Sequence, residues 1–474
     1  MSNFGRVPVI DVHSENLREV WPSMILALSN ATFVGLDTEL SGLGHRKKLG
    51  AKSVEDRYKN ICETAKSRSI LSLGVSCFQQ MSAPSNTNQS ESNCLSSSQS
   101  GSRYIVQTFN IMLLCEEEFM VEPQSLRFLV QHGFDFNKQY EKGVPYYRGP
   151  DKKEDNNIQS VRHLFSELVA MEKPIILHNG LVDLIFMYEN LYTSLPSSSA
   201  MFLADLCDMF PNGIIDTKYI TDFEHLMQAS YLEYVFRKCQ KDNESRAEKC
   251  TLHFPHYPAS YPHVTYRNCN IKPKFDIDQN PDAYKMALCG SYSGHGWCPK
   301  EKFCSKSHDI DLIIDVDNFM EKRKGRKRKR RRENKEAKET TDELSENENV
   351  SKGSNSAVLD AGDVTVENGD SDDGLKSKLN TEEILQTLKR QVTEEETHAN
   401  GGHRAGYDAF MTGFIYAVYR ASGGKWIDKT EEWRNKLYLG GKDYPLSVSK
   451  SSFSKHSKQH LEKIGTIRKT EVQK

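Results

Sequence analysis

Thr32-Phe-Val-Gly-Leu-Asp37-Thr-Glu39-Leu40 decides how the rest of the chain reads. Its aromatic and β-branched residues predict a strand. Side chains two residues apart on a strand share a face, so Asp37 and Glu39 project side by side. Two adjacent carboxylates repel, and a cation between them relieves the cost. Read alone, the pair is weak and more often marks a polar strand end at the surface.

The neighbouring segments place this strand in a layered domain. Ser69–Phe78 and Tyr104–Leu113 are roughly alternating and predict two further strands. The Ser/Asn/Gln-rich residues 81–102 between them hold too few apolar side chains to offset ordering entropy, and are expected to form a disordered loop. Asn16–Ser29 has helical spacing with Ser14 as its N-cap, and Pro123–Val130 and Val161–Glu172 are also helical in pattern. Pro174–His178 and Gly213–Tyr219 predict short strands, and a helix follows Gly180. Strands alternating with helices indicate an α/β fold.

Composition excludes several classes. Of 474 residues, 63 are Lys or Arg and 65 are Asp or Glu, so net charge predicts no partner. No apolar run reaches the roughly 18 residues of a membrane helix, and Met1–Leu17 lacks the apolar core of a secretory signal. Eleven cysteines, mostly isolated, fit a reducing compartment better than a disulfide framework.

Two more acidic segments follow the first. In Leu177-His-Asn-Gly-Leu-Val-Asp183 an apolar strand turns sharply at Asn179-Gly180 and places Asp183 on an otherwise apolar helix start. Such an acid also complements the helix dipole. His178 has the position of a turn or core histidine and receives no catalytic role. In His403-Arg-Ala-Gly-Tyr-Asp408-Ala a histidine precedes an aspartate by five residues at the start of an apolar helix.

Together Asp37 and Glu39, Asp183, and Asp408 with His403 resemble the three exonuclease motifs of the DEDD superfamily, histidine subtype. The surrounding sequence is similar to its deadenylase branch, the Caf-type subunits and poly(A)-specific ribonucleases. That branch also has a strand like Ile215-Asp216-Thr-Lys218, in which we read Asp216 as structural. The resemblance covers about residues 6–80, 104–230 and 396–420. It implies a ribonuclease H-like fold, with a central mixed sheet flanked by helices, and a 3′-to-5′ exoribonuclease. Asp37, Glu39, Asp183 and Asp408 would hold two Mg²⁺ or Mn²⁺ ions, as oxygen ligands suit these metals rather than zinc. His403 would be the general base, because imidazole titrates near neutral pH.

Cys289, Cys298, Cys304 and His308 have the spacing of a CCCH finger, a closed structural zinc shell. Tyr292, Trp297 and Phe303 would either stack on unpaired RNA bases or cover the metal. Lys322–Arg332 is basic throughout except for one glycine, and reads as a nuclear import run or an RNA-backbone contact. The domain expectation is therefore a nuclease in two parts, 1–288 and 396–450. A finger at 283–311 and a disordered linker at 312–395 lie between them, and 451–474 forms a flexible tail.

The leading functional expectation is a deadenylase trimming 3′ tails of nuclear RNA, small nuclear RNAs in particular. The resemblance suggests nucleoli, Cajal bodies or speckles as its location, with protein partners there and no membrane partner. The competing class is a non-catalytic RNA-binding or growth-regulatory adaptor on a nuclease scaffold. A DNA exonuclease is disfavoured by the deadenylase-like context and the finger.

Overall fold

The computed structural model describes residues 5–81, 101–152, 159–345 apart from 273 and 279, 386, 404–421 and 430–473. The chain divides into two compact units. Met1–Lys272, Gly294–Gly296 and Thr393–Lys474 make the first, and Pro273–Ser293 with Trp297–Val392 the second.

The first unit is built on one mixed sheet. In chain order its described strands are β1 (Arg6–Val12), β2 (Phe33–Leu40), β3 (Ile70–Gln80), β4 (Arg103–Cys115), β5 (Val144–Tyr146), β6 (Ile175–Leu177), β7 (Ile214–Asp216), β8 (Thr251–His253), β9 (Val264–Asn268), β10 (Lys436–Leu437) and β11 (Leu446–Ser447). Their spatial order is β11-β10-β7-β6-β2-β3-β4-β1-β9, and β5 and β8 also pair with β4. Antiparallel β2, β3 and β4 occupy the centre. Parallel β6 and β7 extend it on one side and parallel β1 on the other. This is the expected α/β architecture, with helices on a central mixed sheet.

The period of two along β2 explains how the site is placed. Val34, Leu36 and Leu40 enter the main hydrophobic core with the helix Leu17–Asn30. Phe33, Gly35, Asp37 and Glu39 alternate with them and face the other way. There the helix Ala405–Arg420 lies across β2 and β3, and every residue from Ala405 to Tyr419 is buried. Phe33 stacks on Phe78 with centroids 4.9 Å apart and meets the Tyr416 ring edge-on at 4.9 Å.

Two glycines set the depth of that helix. A Cβ at Gly35 would run into the Ala409 carbonyl oxygen, and one at Gly74 into the backbone of Ala405 and Gly406. Gly74 is the cross-strand partner of Asp37. Helix backbone therefore sits directly over the acidic end of β2. Gly74→Ala should force this backbone outward and lower stability by about 1–3 kcal/mol, as overpacking does. Thermal unfolding would read it as a clear drop in Tm, and an unchanged Tm would contradict the close approach.

Three local expectations differ from what is observed. The first helix starts after Asn16, and the Ser14 hydroxyl donates to the Lys142 carbonyl instead of capping it. The linker does not begin at 312: a helix runs Ile310–Ser345, burying Leu312, Ile313, Ile314 and Val316 within the second unit. The basic residues beyond continue it because Lys, Arg and Glu are good helix formers. The tail holds a helix, Lys458–Gln473, whose Ile464 and Ile467 are buried in the first unit's core. The buried stripe of Ser457, just before the helix, and His460, Ile464 and Ile467 within it keeps helical spacing but is half polar, so apolar periodicity alone passes over it. The expected loop falls mostly outside the described residues, as does the rest of the linker.

Candidate active site

The end of β2 and the first turn of the helix Ala405–Arg420 bring three carboxylates together. Oxygens of Asp37, Glu39 and Asp408 lie within 4.8 Å of one another. Asp408 is only 6% exposed, an acid in the middle of an otherwise buried helix face. Burial pushes the Asp37 carboxyl well above the ordinary range, and the negative charges of Asp408, Asp183 and Glu39 push it further. Crowded oxygen donors that repel in this way fit a hard divalent cation, Mg²⁺ or Mn²⁺.

Asp183 lies in the first turn of the helix Leu181–Met187, just after Asn179 in the left-handed region at φ 64°. It stands outside the group of three mutually close carboxylates, though near enough to act on Asp37. Its Oδ1 accepts a hydrogen bond from the Thr38 hydroxyl at 2.5 Å. Burial raises Asp183 from 3.8 to about 6, with that hydrogen bond opposing the rise.

These shifts predict a pH-dependent effect of metal. An unfolded Asp183 loses its proton near 3.8, while the folded one holds it to about 6. The folded state therefore binds more protons in that window, and the metal-free protein should lose stability as pH rises through it. A cation relieves the ionised carboxylates, so Mg²⁺ or Mn²⁺ should raise Tm more at neutral pH than near pH 5. Equal gains at both would show that these acids do not hold the metal.

Asp216 and His178 are both engaged in hydrogen bonds near the turn before Asp183. The Asp216 carboxylate accepts from the backbone amides of Asn179, Gly180, Lys218 and Tyr438 at 2.8–3.2 Å, tying β6, β7 and β10 together at the turn before Asp183. His178 meets the Thr217 hydroxyl and the Ser230 carbonyl through its two ring nitrogens, each at 2.9 Å.

His403 lies outside the described residues, but the next residue does not. Arg404 pairs with Asp11 at the end of β1 and donates to the Thr265 hydroxyl at 3.0 Å. Asn110 donates to Asp11 and accepts from the Gly406 amide. Asp11 and Asn110 thus anchor the entry to the helix carrying Asp408. Sequence reasoning missed both, and its one available signal was an acid near the end of the mostly apolar strand Arg6–Val12.

The second unit brings Cys289, Cys298, Cys304 and His308 together, with ligand atoms within 4.8 Å of one another. Paired backbone bonds between Ala287, Cys289 and Ser307 join the two ends of the segment. The His308 Nε2 is buried without a hydrogen-bond partner, and Cys298 is held below the ordinary thiol value: burial opposes this, but the Lys300 and Glu301 amides and the neighbouring thiols outweigh it. An imidazole with an orphaned buried nitrogen, grouped with three thiols, suits zinc. Tyr292 lies flat on His308 at 4.3 Å and covers the ligand, whereas Trp297 and Phe303 are 48% and 81% exposed.

The chain matches the CAF1 family ribonuclease description over residues 12–160 and 150–416. It belongs to the CAF1 ribonuclease family. All four carboxylates and His403 fall inside the matched range of this CAF1 ribonuclease. Poly(A)-specific ribonuclease PARN of Danio rerio is 25% identical over 150 residues, 29% of this chain and 20% of that one. The pre-piRNA 3′-exonuclease trimmer of Bombyx mori is 31% identical over 91 residues, 17% of each chain. The matches span about a fifth of these relatives' own lengths. Among solved structures, S. pombe Pop2p in its Mg²⁺- and Mn²⁺-bound form aligns with a TM-score of 0.36 and 20% identity, covering 49% of this chain and 82% of that one.

Proposed function

We propose that this CAF1 ribonuclease is a 3′-to-5′ exoribonuclease of the histidine DEDD subtype that shortens adenylated 3′ tails of nuclear RNA. The convergence of Asp37, Glu39 and Asp408 carries this reading. With Asp183 they would hold two divalent ions, which when bound supply Lewis-acid activation of water and neutralise charge at the scissile phosphodiester. The side chains do the rest. Asp408, buried on a helix wedged against β3, keeps its carboxylate in place as substrate arrives. Thr38 orients Asp183. A ring nitrogen of His403 accepts the proton lost by the attacking water, and a nucleoside 5′-monophosphate leaves the 3′ end.

The order of nuclease motifs, finger and basic run resembles that of the nuclear deadenylase called target of early growth response protein one. This supports a nuclear location, small nuclear RNAs as substrates and partners in nuclear bodies. Lys322–Lys329 are exposed on their helix, as an import signal requires. Removing Lys322–Arg332 should move the protein to the cytoplasm and leave cleavage of short RNAs unchanged. Undiminished nuclear accumulation would refute the import role.

The deciding experiment incubates the full chain and Mg²⁺ with 5′-labelled RNA ending in oligo(A), beside a matched RNA without the tail and a matched DNA. The proposal expects stepwise shortening of the adenylated RNA with release of AMP. No shortening under any divalent metal would favour the adaptor, and faster loss of DNA would reassign the substrate.

A further inference from the structure

A third cluster of metal-ligating side chains lies in the first unit, where the C-terminal helix meets the helix Ser199–Met209. Ligand atoms of Asp205, His456 and His460 lie within 4.8 Å of one another. We propose that these three residues form a zinc site, separate from the active-site carboxylates and the finger, that fastens the C-terminal helix Lys458–Gln473 to the nuclease unit.

The burial of Asp205 is the first reason. Its side chain is fully buried. It accepts from the Tyr188 hydroxyl at 2.9 Å and the Ser457 amide at 3.0 Å, and its Oδ1 lies 3.3 Å from His456 Nδ1. Among the described residues no Lys or Arg pairs with it. A buried carboxylate supported only by neutral donors and an imidazole is costly, and a cation beside it removes the cost.

His460 supplies the second reason. Its Nε2 lies 2.9 Å from Asp208 Oδ2, and Arg468 holds that carboxylate at 2.8 Å. An outer carboxylate taking the proton of one ring nitrogen is how proteins orient a metal-binding imidazole and make its other nitrogen more basic. The other nitrogen, Nδ1, lies 3.0 Å from the Tyr192 hydroxyl. Two imidazoles and one carboxylate make a donor set that suits zinc and leaves a fourth position for water or that phenol.

Fastening is the consequence. Among the described residues of the helix only Ile464 and Ile467 are buried apolar side chains, and beyond them the helix is held through the ion pairs of Lys463 with Asp151 and Arg468 with Asp208. A metal joining Asp205 to His456 would hold the helix start across 251 positions of chain.

The test is the zinc content of the full chain, produced with zinc and exchanged into excess Mg²⁺, which competes at oxygen donors but poorly at imidazoles. Elemental analysis should find two zinc ions per chain. His456→Gln should remove one, and Cys298→Ser should independently remove the other. Cobalt loaded into Cys298→Ser should give d–d absorption without thiolate charge transfer, lost on adding His456→Gln. A single zinc per wild-type chain, abolished by Cys298→Ser and unchanged by His456→Gln, would overturn the proposal and leave a hydrogen-bonded clamp. The wild-type count distinguishes the outcomes whether or not the variants fold.

Discussion

Asp37→Asn is expected to abolish metal-dependent RNA shortening, with a rate loss on the order of 10³-fold or more. The metal term in such a site is worth several kcal/mol, and each 1.36 kcal/mol is tenfold in rate. Asparagine keeps the shape but removes the charge that neighbours Glu39, Asp183 and Asp408. The metal-free variant should therefore melt no lower than wild type, because like-charge repulsion has been relieved. Its Tm gain on adding Mg²⁺ should shrink in parallel with the activity. Initial rates on a labelled oligo(A) substrate and thermal unfolding with and without Mg²⁺ measure both effects. Shortening at near wild-type rates by folded Asp37→Asn protein would mean that the three carboxylates are not the catalytic metal site.

His403→Ala is expected to slow the chemical step by about 10²–10⁴-fold, the usual worth of a positioned base. Metal binding should persist, since no carboxylate is touched, and the Mg²⁺-induced rise in Tm should match wild type. An unprotonated imidazole is the working form, so wild-type activity should fall as acid protonates the ring. The residual activity of the His403→Ala variant should lack this dependence. Arg404, the next residue, is tethered to Asp11 and Thr265, so Asp11→Asn should lower activity with a milder pH effect than the loss of His403. An unchanged rate and pH profile in His403→Ala would hand the base role to another group.

Much of the fold and part of the candidate site could be read from local pattern. The period of two in Phe33–Leu40 put Asp37 and Glu39 on one face, and that face is the one beneath the Asp408 helix. The strands flanking residues 81–102 pair as a hairpin, with Phe78 opposite Val106. The turn at Asn179 and the acid on the helix behind it are also where the residues implied them. Asp216 is held by four backbone amides. Each of these rests on neighbours in sequence, where backbone geometry alone relates one side chain to the next.

By itself, then, the sequence determined the alternation of strands and helices, the acidic strand end, the acids at the starts of apolar helices and the spacing of three cysteines and a histidine. The tertiary structure alone decided which of these meet. It set Asp37, Glu39 and Asp408 within reach of one cation and left Asp183 beside Thr38. It paired Asp11 with Arg404 across 393 positions of chain. It also buried His460 in a stripe whose polar members hid the helix. Partners so far apart in sequence are related only by the packing of a helix on a sheet. That packing depends on absent side chains at Gly35 and Gly74, whose purpose appears only when another backbone lies against them.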